Sequence, residues 1–98
     1  MDEARVREHA EGHARAIADG DLRRASSDLT EEAKKSAPAV MAEMPRPITG
    51  ARVSDVVVSG ENAVATIVYS GDDKVITVES RWADREGRPM ITELTLQD

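Results

Sequence analysis

The sequence predicts an α+β fold, with N-terminal helices packed on one face of a curved, antiparallel four-stranded sheet. Three observations support this. Apolar residues recur at helical spacing in the first half, they alternate with polar residues after Ile48, and short turn sequences separate four runs in the second half. Short connections favour antiparallel pairing of consecutive strands. At 98 residues the chain has room for one domain, which we expect to span residues 1–98.

The first helix is predicted from Asp2 to Ala18. Its apolar residues follow each other at steps of three and four, which lines one helix face. Asp2 places negative charge at the helix N-terminus, and Gly20 can adopt the left-handed conformation that ends a helix. The apolar stripe consists of Val6, Ala10, Ala14 and Ile17.

A short second helix follows, with Asp21 as its N-cap and Leu22, Ala25 and Leu29 on one face. These positions are three and four residues apart. They therefore predict a second apolar stripe beside the first.

The third helix is predicted to begin at the cap Thr30 and to be interrupted by Pro38. Proline lacks the N–H that would bond to the Lys34 carbonyl, so we expect a break near Ser36. The prolines of residues 45–47 then end the helical half. The apolar stripe here is Ala33, Ala37, Val40, Met41 and Met44.

Four strands are predicted at residues 51–59, 62–70, 74–83 and 89–97. In the third strand, Ile76, Val78 and Trp82 share the face that we assign to the core. In the fourth strand, alternation predicts that Met90, Leu94 and Leu96 point inward. Ile91, Glu93 and Thr95 are then expected on the outer face.

Composition excludes several classes of function. The formal charge of −6 repels nucleic-acid phosphates and anionic lipids, and one Trp with one Tyr offers few stacking surfaces. Without cysteine there is no disulfide framework, thiolate nucleophile or zinc–thiolate site. No run has the length of a membrane span, and the charged start lacks the apolar core of a secretion signal. We therefore expect a cytoplasmic protein that binds neither nucleic acid nor membrane.

The order of elements resembles the nuclear transport factor 2-like superfamily. Its Gly-Asp turn is matched by residues 14–25, "ARAIADGDLRRA", and a proline-containing helix precedes a meander whose third strand carries Trp82. Among its members the chain is most similar to small SnoaL-like bacterial proteins. The resemblance implies a cone-like, cystatin-like roll with a pocket between the first helix and the sheet, and often a homodimer. Members include isomerases, epoxide hydrolases and polyketide cyclases, so the fold leaves the activity open.

His9 and His13 lie one helical turn apart, a spacing that could hold a metal. In "HAEGH", however, the carboxylate of Glu11 is at the third position and points about 200° away from His9 on a helix. We therefore predict no metal site and no cofactor.

His13 is the main candidate for chemistry, because it lies near the centre of an apolar stripe. An imidazole there must either bond a partner in the core or face a cavity. Trp82 is expected either to anchor the core or to form a cavity wall. The Tyr69 hydroxyl is expected to reach solvent more readily than a pocket mouth, and Asp28 to cap a helix.

Three functions remain open. The first is a dimeric domain whose pocket binds a small apolar molecule or is vestigial; the second is a SnoaL-like isomerase, cyclase or hydrolase with His13 as general acid or base, assisted by Tyr69 or Asp28. The third is a non-catalytic module that dimerises through β-branched residues of the outer sheet face, such as Val57 and Val75. No carboxylate is clearly assigned to the core, which weighs against an enzyme. The expected pocket residues are His13, Ile17, Val40, Met44, Tyr69, Trp82 and Met90.

Overall fold

A computed structural model describes residues 1–97 and confirms the α+β class: helices come first and pack on an antiparallel four-stranded sheet. No helix in this range is long and apolar enough to cross a membrane. The helices are α1 (Glu3–Ala18), α2 (Leu22–Ser26) and α3 (Glu31–Ala42).

The predicted start and end of α1 and the predicted start of α2 are confirmed, but α2 is shorter than predicted: it ends at Ser26, and Leu29, expected on its apolar face, lies beyond it. The Asp2 carboxylate accepts a hydrogen bond from the Ala4 N–H at 3.2 Å, and Gly20 follows α1 in the left-handed region with φ of 75°. The Asp21 carboxylate accepts from the Arg24 N–H at 3.1 Å. Residues 19–21 therefore turn the chain sharply between the two helices.

The predicted break in α3 is wrong, because the helix continues through Pro38. Thr30 caps it as expected, but the Ser36 hydroxyl caps nothing: it donates to the Ala33 carbonyl at 3.0 Å and accepts from the Leu94 N–H at 3.1 Å. The bond missing at Pro38 would reach the carbonyl of Lys34, an exposed residue that water can serve. Packing against the last strand holds the helix together across that gap.

The sheet is a meander in the order β1-β2-β3-β4, with every neighbouring pair antiparallel. The turn between the last two strands has positive φ at Glu86 (55°) and Gly87 (85°), the conformation of the tight turns that match strand twist. The strands are β1 (Ile48–Ser59), β2 (Asn62–Gly71), β3 (Val75–Arg85) and β4 (Arg88–Gln97).

A β-bulge in β4 overturns part of the predicted face assignment. Arg81 pairs with Glu93 but Trp82 pairs with Ile91, which leaves Thr92 as the extra residue. The inserted residue reverses the phase of the strand before it. Ile91, expected outside, is therefore fully buried, and Met90, expected in the core, falls on the other side of the strand.

The core consists of two apolar clusters with polar groups between them. His13, Asp28 and Ser80 are the buried polar residues among those described. The cavity-side cluster contains Ala14, Ala16, Ile17, Ala25, Val40, Met44, Ile67, Tyr69 and Val78. The tryptophan cluster contains Val6, Ala10, Ala33, Val56, Ala63, Ala65, Trp82 and Ile91.

The link between α2 and α3 pairs with the free edge of β4. The Ile91 N–H donates to the Asp28 carbonyl at 2.7 Å, and the Thr30 N–H donates back to the Ile91 carbonyl at 2.9 Å. Leu29 and Ile91 thus form a parallel bridge. This pairing covers part of an edge strand and fixes the backbone of Asp28 against the sheet.

Candidate functional site

A buried histidine–aspartate pair joins α1 to the link between α2 and α3. His13 projects from α1 and Asp28 from the α2–α3 link, and their side chains are 4% and 0% exposed. The distance from His13 Nδ1 to Asp28 Oδ2 is 3.1 Å, which is a hydrogen bond. The two residues are fifteen positions apart in sequence.

Asp28 is also held by two arginines. Arg24 Nη1 lies 2.9 Å from Oδ2, and Arg88 Nη2 lies 2.6 Å from Oδ1. One buried carboxylate thereby connects α1, α2 and the start of β4. The expectation that Asp28 caps a helix is wrong, because Asp21 and Thr30 cap the two neighbouring helices and leave Asp28 to the interior.

These partners decide the charge of Asp28. Burial alone raises the pKa of the carboxyl, but the hydrogen bond and charge of His13, together with the charges of Arg24 and Arg88, outweigh burial and lower it below the ordinary value. Asp28 is therefore ionised at neutral pH and can only accept hydrogen bonds. It follows that His13 Nδ1 carries a proton and donates it.

Trp82 supports the His13 ring from the side of the tryptophan cluster. The two rings meet edge to face, with centroids 6.4 Å apart and planes at 88°. Trp82 Nε1 donates to the Ser80 hydroxyl at 2.8 Å, and that hydroxyl donates to the Ala65 carbonyl at 2.8 Å. Trp82 is thus fixed in the core and orients the imidazole.

On its other side, His13 faces a cavity of about 320 Å³. The cavity lies between the three helices and the inner face of the sheet, and its walls are mostly apolar. The helices contribute Ile17, Ala25, Val40 and Met41 to the lining, and the segments that follow α2 and α3 contribute Leu29 and Met44. The sheet contributes Ile67, Val78 and Leu94.

Two residues that line this cavity carry polar groups with no partner among the described residues. None of the side-chain hydrogen bonds found among residues 1–97 involves His13 Nε2 or the Tyr69 hydroxyl. Among residues 1–97, the fully buried side-chain nitrogen or oxygen without a partner is Arg88 Nε. His13 Nε2 and the Tyr69 hydroxyl also lack partners, so they are not fully buried. Both can therefore meet a molecule in the cavity.

Tyr69 differs from its sequence-based expectation. Its side chain is 2% exposed and belongs to the cavity wall, whereas its position near the end of β2 had favoured solvent. Tyr69 faces inward because it alternates in phase with the buried Ile67. Burial raises the pKa of the hydroxyl, so it stays protonated and can donate a hydrogen bond.

The open side of the cavity carries a positive charge. Arg46, from the loop of residues 45–47, belongs to the lining and is exposed. Leu22 is 53% exposed and also lines the cavity. These two side chains therefore mark the mouth, while His13 and Tyr69 mark the interior.

The structure brings together five of the seven residues predicted for the pocket: His13, Ile17, Val40, Met44 and Tyr69 all line the cavity. Trp82 and Met90 are not among its lining residues, the first because it packs behind His13 and the second because of the bulge. Arg46 was not predicted as a pocket residue, because Pro45 and Pro47 on either side of it were interpreted only as the end of the helical half. Its position shortly after the α3 stripe is the signal that could have identified it.

Within residues 1–97, no group of three His, Cys, Asp or Glu side chains is arranged to hold a metal ion. His9 is half-buried one turn from His13, and the partner that His13 uses is Asp28.

The fold and the cavity define a small α+β domain with one buried ionic cluster beside an apolar chamber. No family model matches the chain, and no curated protein is significantly similar to it in sequence.

Proposed function

We propose that this domain binds a small, largely apolar molecule in the cavity beside His13, and that a polar group of the ligand contacts His13 Nε2 or the Tyr69 hydroxyl. The observation that supports the proposal is the combination of a mostly apolar wall with two polar groups that have no partner in the part of the chain that the structure describes. Ligand pockets are typically apolar with a few polar groups that fix orientation.

The size of the cavity sets the size of the ligand. A volume of about 320 Å³ is near the lower end of the range of about 300–1,000 Å³ for small-molecule pockets. Burial of apolar ligand surface provides a favourable free energy of about 25 cal/mol per Å² before the costs of association. The ligand's polar group would replace water at His13 and Tyr69, and its position would select the orientation.

Membership of the nuclear transport factor 2-like superfamily, among its small SnoaL-like bacterial proteins, is part of this proposal. Its support is the order of three helices followed by a meander, together with a cavity between α1 and the sheet. A cytoplasmic location is also proposed. Its support is the charged, cysteine-free composition.

A neutral probe tests the binding proposal. 1-Octanol, titrated into the ¹⁵N-labelled protein, is expected to shift amide resonances of residues around the cavity. Ala37→Met should weaken this response because Ala37 lines the cavity and the longer side chain occupies it. The matched control is Ala39→Met, which changes an exposed residue of the same helix that does not line the cavity. Equal responses in the two variants would contradict binding in this cavity.

Proton transfer by His13 is a second candidate function, favoured by the Asp28 hydrogen bond. An ionised carboxylate on Nδ1 fixes the tautomer and leaves Nε2 as the base that faces the cavity. In this reaction Nε2 takes a proton from the carbon beside a ligand carbonyl and returns a proton from solvent.

Hydrogen–deuterium exchange tests this second function. Protein in D₂O should accelerate incorporation of deuterium beside the carbonyl of 2-octanone, and His13→Gln should abolish the acceleration. A rate unchanged in His13→Gln would exclude His13 as the base. Free imidazole at the same concentration is the control for unpositioned catalysis.

Homodimerisation through the outer sheet face is the third element of the proposal. Val57 is 57% exposed and Val75 is 61% exposed, and the outward Val64 and Val68 of β2 lie between them. Arg81 and Glu93, 3.2 Å apart on the same face, add charges of both signs, which suits a self-complementary contact.

A further inference from the structure

Arg46 is a charged residue at the cavity mouth, and no carboxylate of residues 1–97 pairs with it. None of the ion pairs found among residues 1–97 includes it. Its one hydrogen-bond contact joins Nη2 to the Met41 carbonyl at 3.5 Å, the outer limit for such a bond. Most of the five guanidinium donors therefore remain available.

The nearby acidic side chains do not neutralise this charge. Glu43, which follows α3, pairs with Lys74 at 3.8 Å. Asp19 borders the groove that adjoins the mouth, but no ion pair joins it to Arg46. The cavity lining itself contains no Asp or Glu among the described residues. A mostly apolar cavity is thus bordered by one arginine that pairs with no carboxylate of residues 1–97.

The loop that carries Arg46 is held in place by close packing. Pro45 is fully buried, and both neighbours of Arg46 are prolines with restricted φ. A Cβ built on Gly71 of β2 would collide with Pro45 Cβ and would lie 2.6 Å from the Pro47 carbonyl oxygen. The absence of a side chain at Gly71 is therefore what lets the loop approach the sheet and brings Arg46 to the cavity.

We infer that Arg46 binds the carboxylate of an apolar organic acid whose hydrocarbon part enters the cavity. This inference rests on the proposed ligand-binding function and adds the chemical class of the ligand. A guanidinium presents paired N–H groups that match a carboxylate, and a carboxylate bound by Arg46 at the mouth would keep its contact with solvent. The domain carries a net charge of −6, so the local cation is what makes an anionic ligand acceptable here.

Arg46 also lies where the C-terminal carbonyls of α3 attract a cation, which offers a purely structural explanation for its position. The two explanations differ in their consequences. A structural arginine affects unfolding and leaves ligand preference unchanged. A binding arginine discriminates between ligands that differ only in head-group charge.

The test compares octanoate with 1-octanol at pH 7.5, by titration calorimetry or amide NMR, in the intact chain. The measured quantity is the ratio of the two dissociation constants. Arg46→Gln should reduce the preference for octanoate about five-fold, as expected for an exposed ion pair of up to about 1 kcal/mol. Binding of octanol should stay the same, and the preference of the unaltered protein should decline as salt is raised.

Two further variants separate the site from the total charge. Arg23→Gln removes an exposed arginine of α2 that does not line the cavity, and it should leave the preference for octanoate intact. Arg46→Lys keeps the charge without the paired N–H groups and should retain part of the preference.

The outcomes distinguish this inference from the function on which it rests. If octanol binds in the cavity and Arg46→Gln leaves the preference for octanoate unchanged, the inference is wrong and the proposed function stands. An equal loss in Arg23→Gln and Arg46→Gln would also overturn it, because the effect would then be one of total charge. If neither probe binds, both proposals fail.

Discussion

Replacement of Asp28 by Asn tests the ionic cluster formed by this buried carboxylate with His13, Arg24 and Arg88. The change keeps the shape of the side chain but removes the charge that His13, Arg24 and Arg88 share. An amide can offer one acceptor oxygen to three donors, and its NH₂ group would point at another donor. We therefore expect a folded but less stable protein.

The size of the loss follows from the exposure of the partners. Removing one member of a fully buried pair costs about 3–5 kcal/mol. The side chains of Arg24 and Arg88 are 47% and 41% exposed, so both can be hydrated when Asp28 loses its charge. Their contribution to the loss of stability is therefore smaller than for a fully buried pair. The buried bond to His13 keeps its full value of about 1.5–3 kcal/mol for a charged hydrogen bond. The expected loss in the free energy of unfolding is about 2–3 kcal/mol at pH 7.

The pH dependence provides a sharper signature than the size of the loss. Because the pKa of Asp28 is lower in the folded state, its stabilisation is present above the unfolded-state pKa and is lost as pH falls through the folded-state pKa. Asn cannot titrate. The difference in unfolding free energy between the two proteins should therefore shrink steadily below the ordinary aspartate pKa of 3.8.

Urea unfolding followed by the fluorescence of Trp82, the one tryptophan of the chain, measures this difference from pH 7 to pH 2.5. A loss of 2–3 kcal/mol corresponds to a midpoint lower by about 1–2 M urea. Asp72→Asn is the matched control, because Asp72 is an exposed turn residue outside the cluster. A difference for Asp28→Asn that stays constant down to pH 2.5 would refute the assigned charge state.

Three other substitutions test the packing and the outer face. Gly71→Ala should lower the free energy of unfolding by about 1–3 kcal/mol, because the new Cβ would clash with Pro45. Gly50→Ala is the control and should have little effect, since its new Cβ would be 3.8 Å from its nearest neighbour. Thermal unfolding compares the two variants. Trp82→Phe should lower the free energy of unfolding by about 1–3 kcal/mol, because the Ser80 hydroxyl loses its donor and the smaller ring leaves a void. An unchanged midpoint of thermal unfolding would contradict this prediction. Val68→Lys should convert the proposed dimer to a monomer in sedimentation equilibrium, and a monomeric unaltered protein would disprove the dimer.

Local signals explain why most of the fold was predictable. Asp2, Asp21 and Thr30 cap their helices through bonds to residues two or three positions away, which a sequence displays directly. Alternation likewise identified the inner face of β3. The break predicted at Pro38 was wrong because the sequence shows the hydrogen bond that proline cannot make but not the packing that compensates for its loss. That packing is between α3 and β4, more than fifty residues later in the chain.

The phase error in β4 has the same origin. Thr92 has no property that marks it as an extra residue, and the bulge exists only in the pairing of β4 with β3. A strict period of two therefore assigned Ile91 and Met90 to the wrong faces.

The site was predictable to the extent that it depends on a single helix. The spacing of α1 placed His13 on the buried face, but the identity of its partner depends on the turn at residues 19–21 and on the bridge to Ile91. One signal was present and unused: Arg24 precedes Asp28 by four residues, the spacing at which opposite charges meet on a helical surface.

The arrangement of the cluster supports the proposed binding role. Buried ionic groups are costly, and an apolar core of the same shape would often be as stable or more so. A buried polar network that serves only stability is expected to satisfy each of its donors and acceptors with a hydrogen bond. Here Asp28 accepts from three donors, yet His13 Nε2 on the far side of the same imidazole has no partner among residues 1–97, and both His13 and Tyr69 line an apolar cavity. The bond between His13 Nδ1 and Asp28 fixes the imidazole ring, so Nε2 would be offered to a ligand at a fixed position.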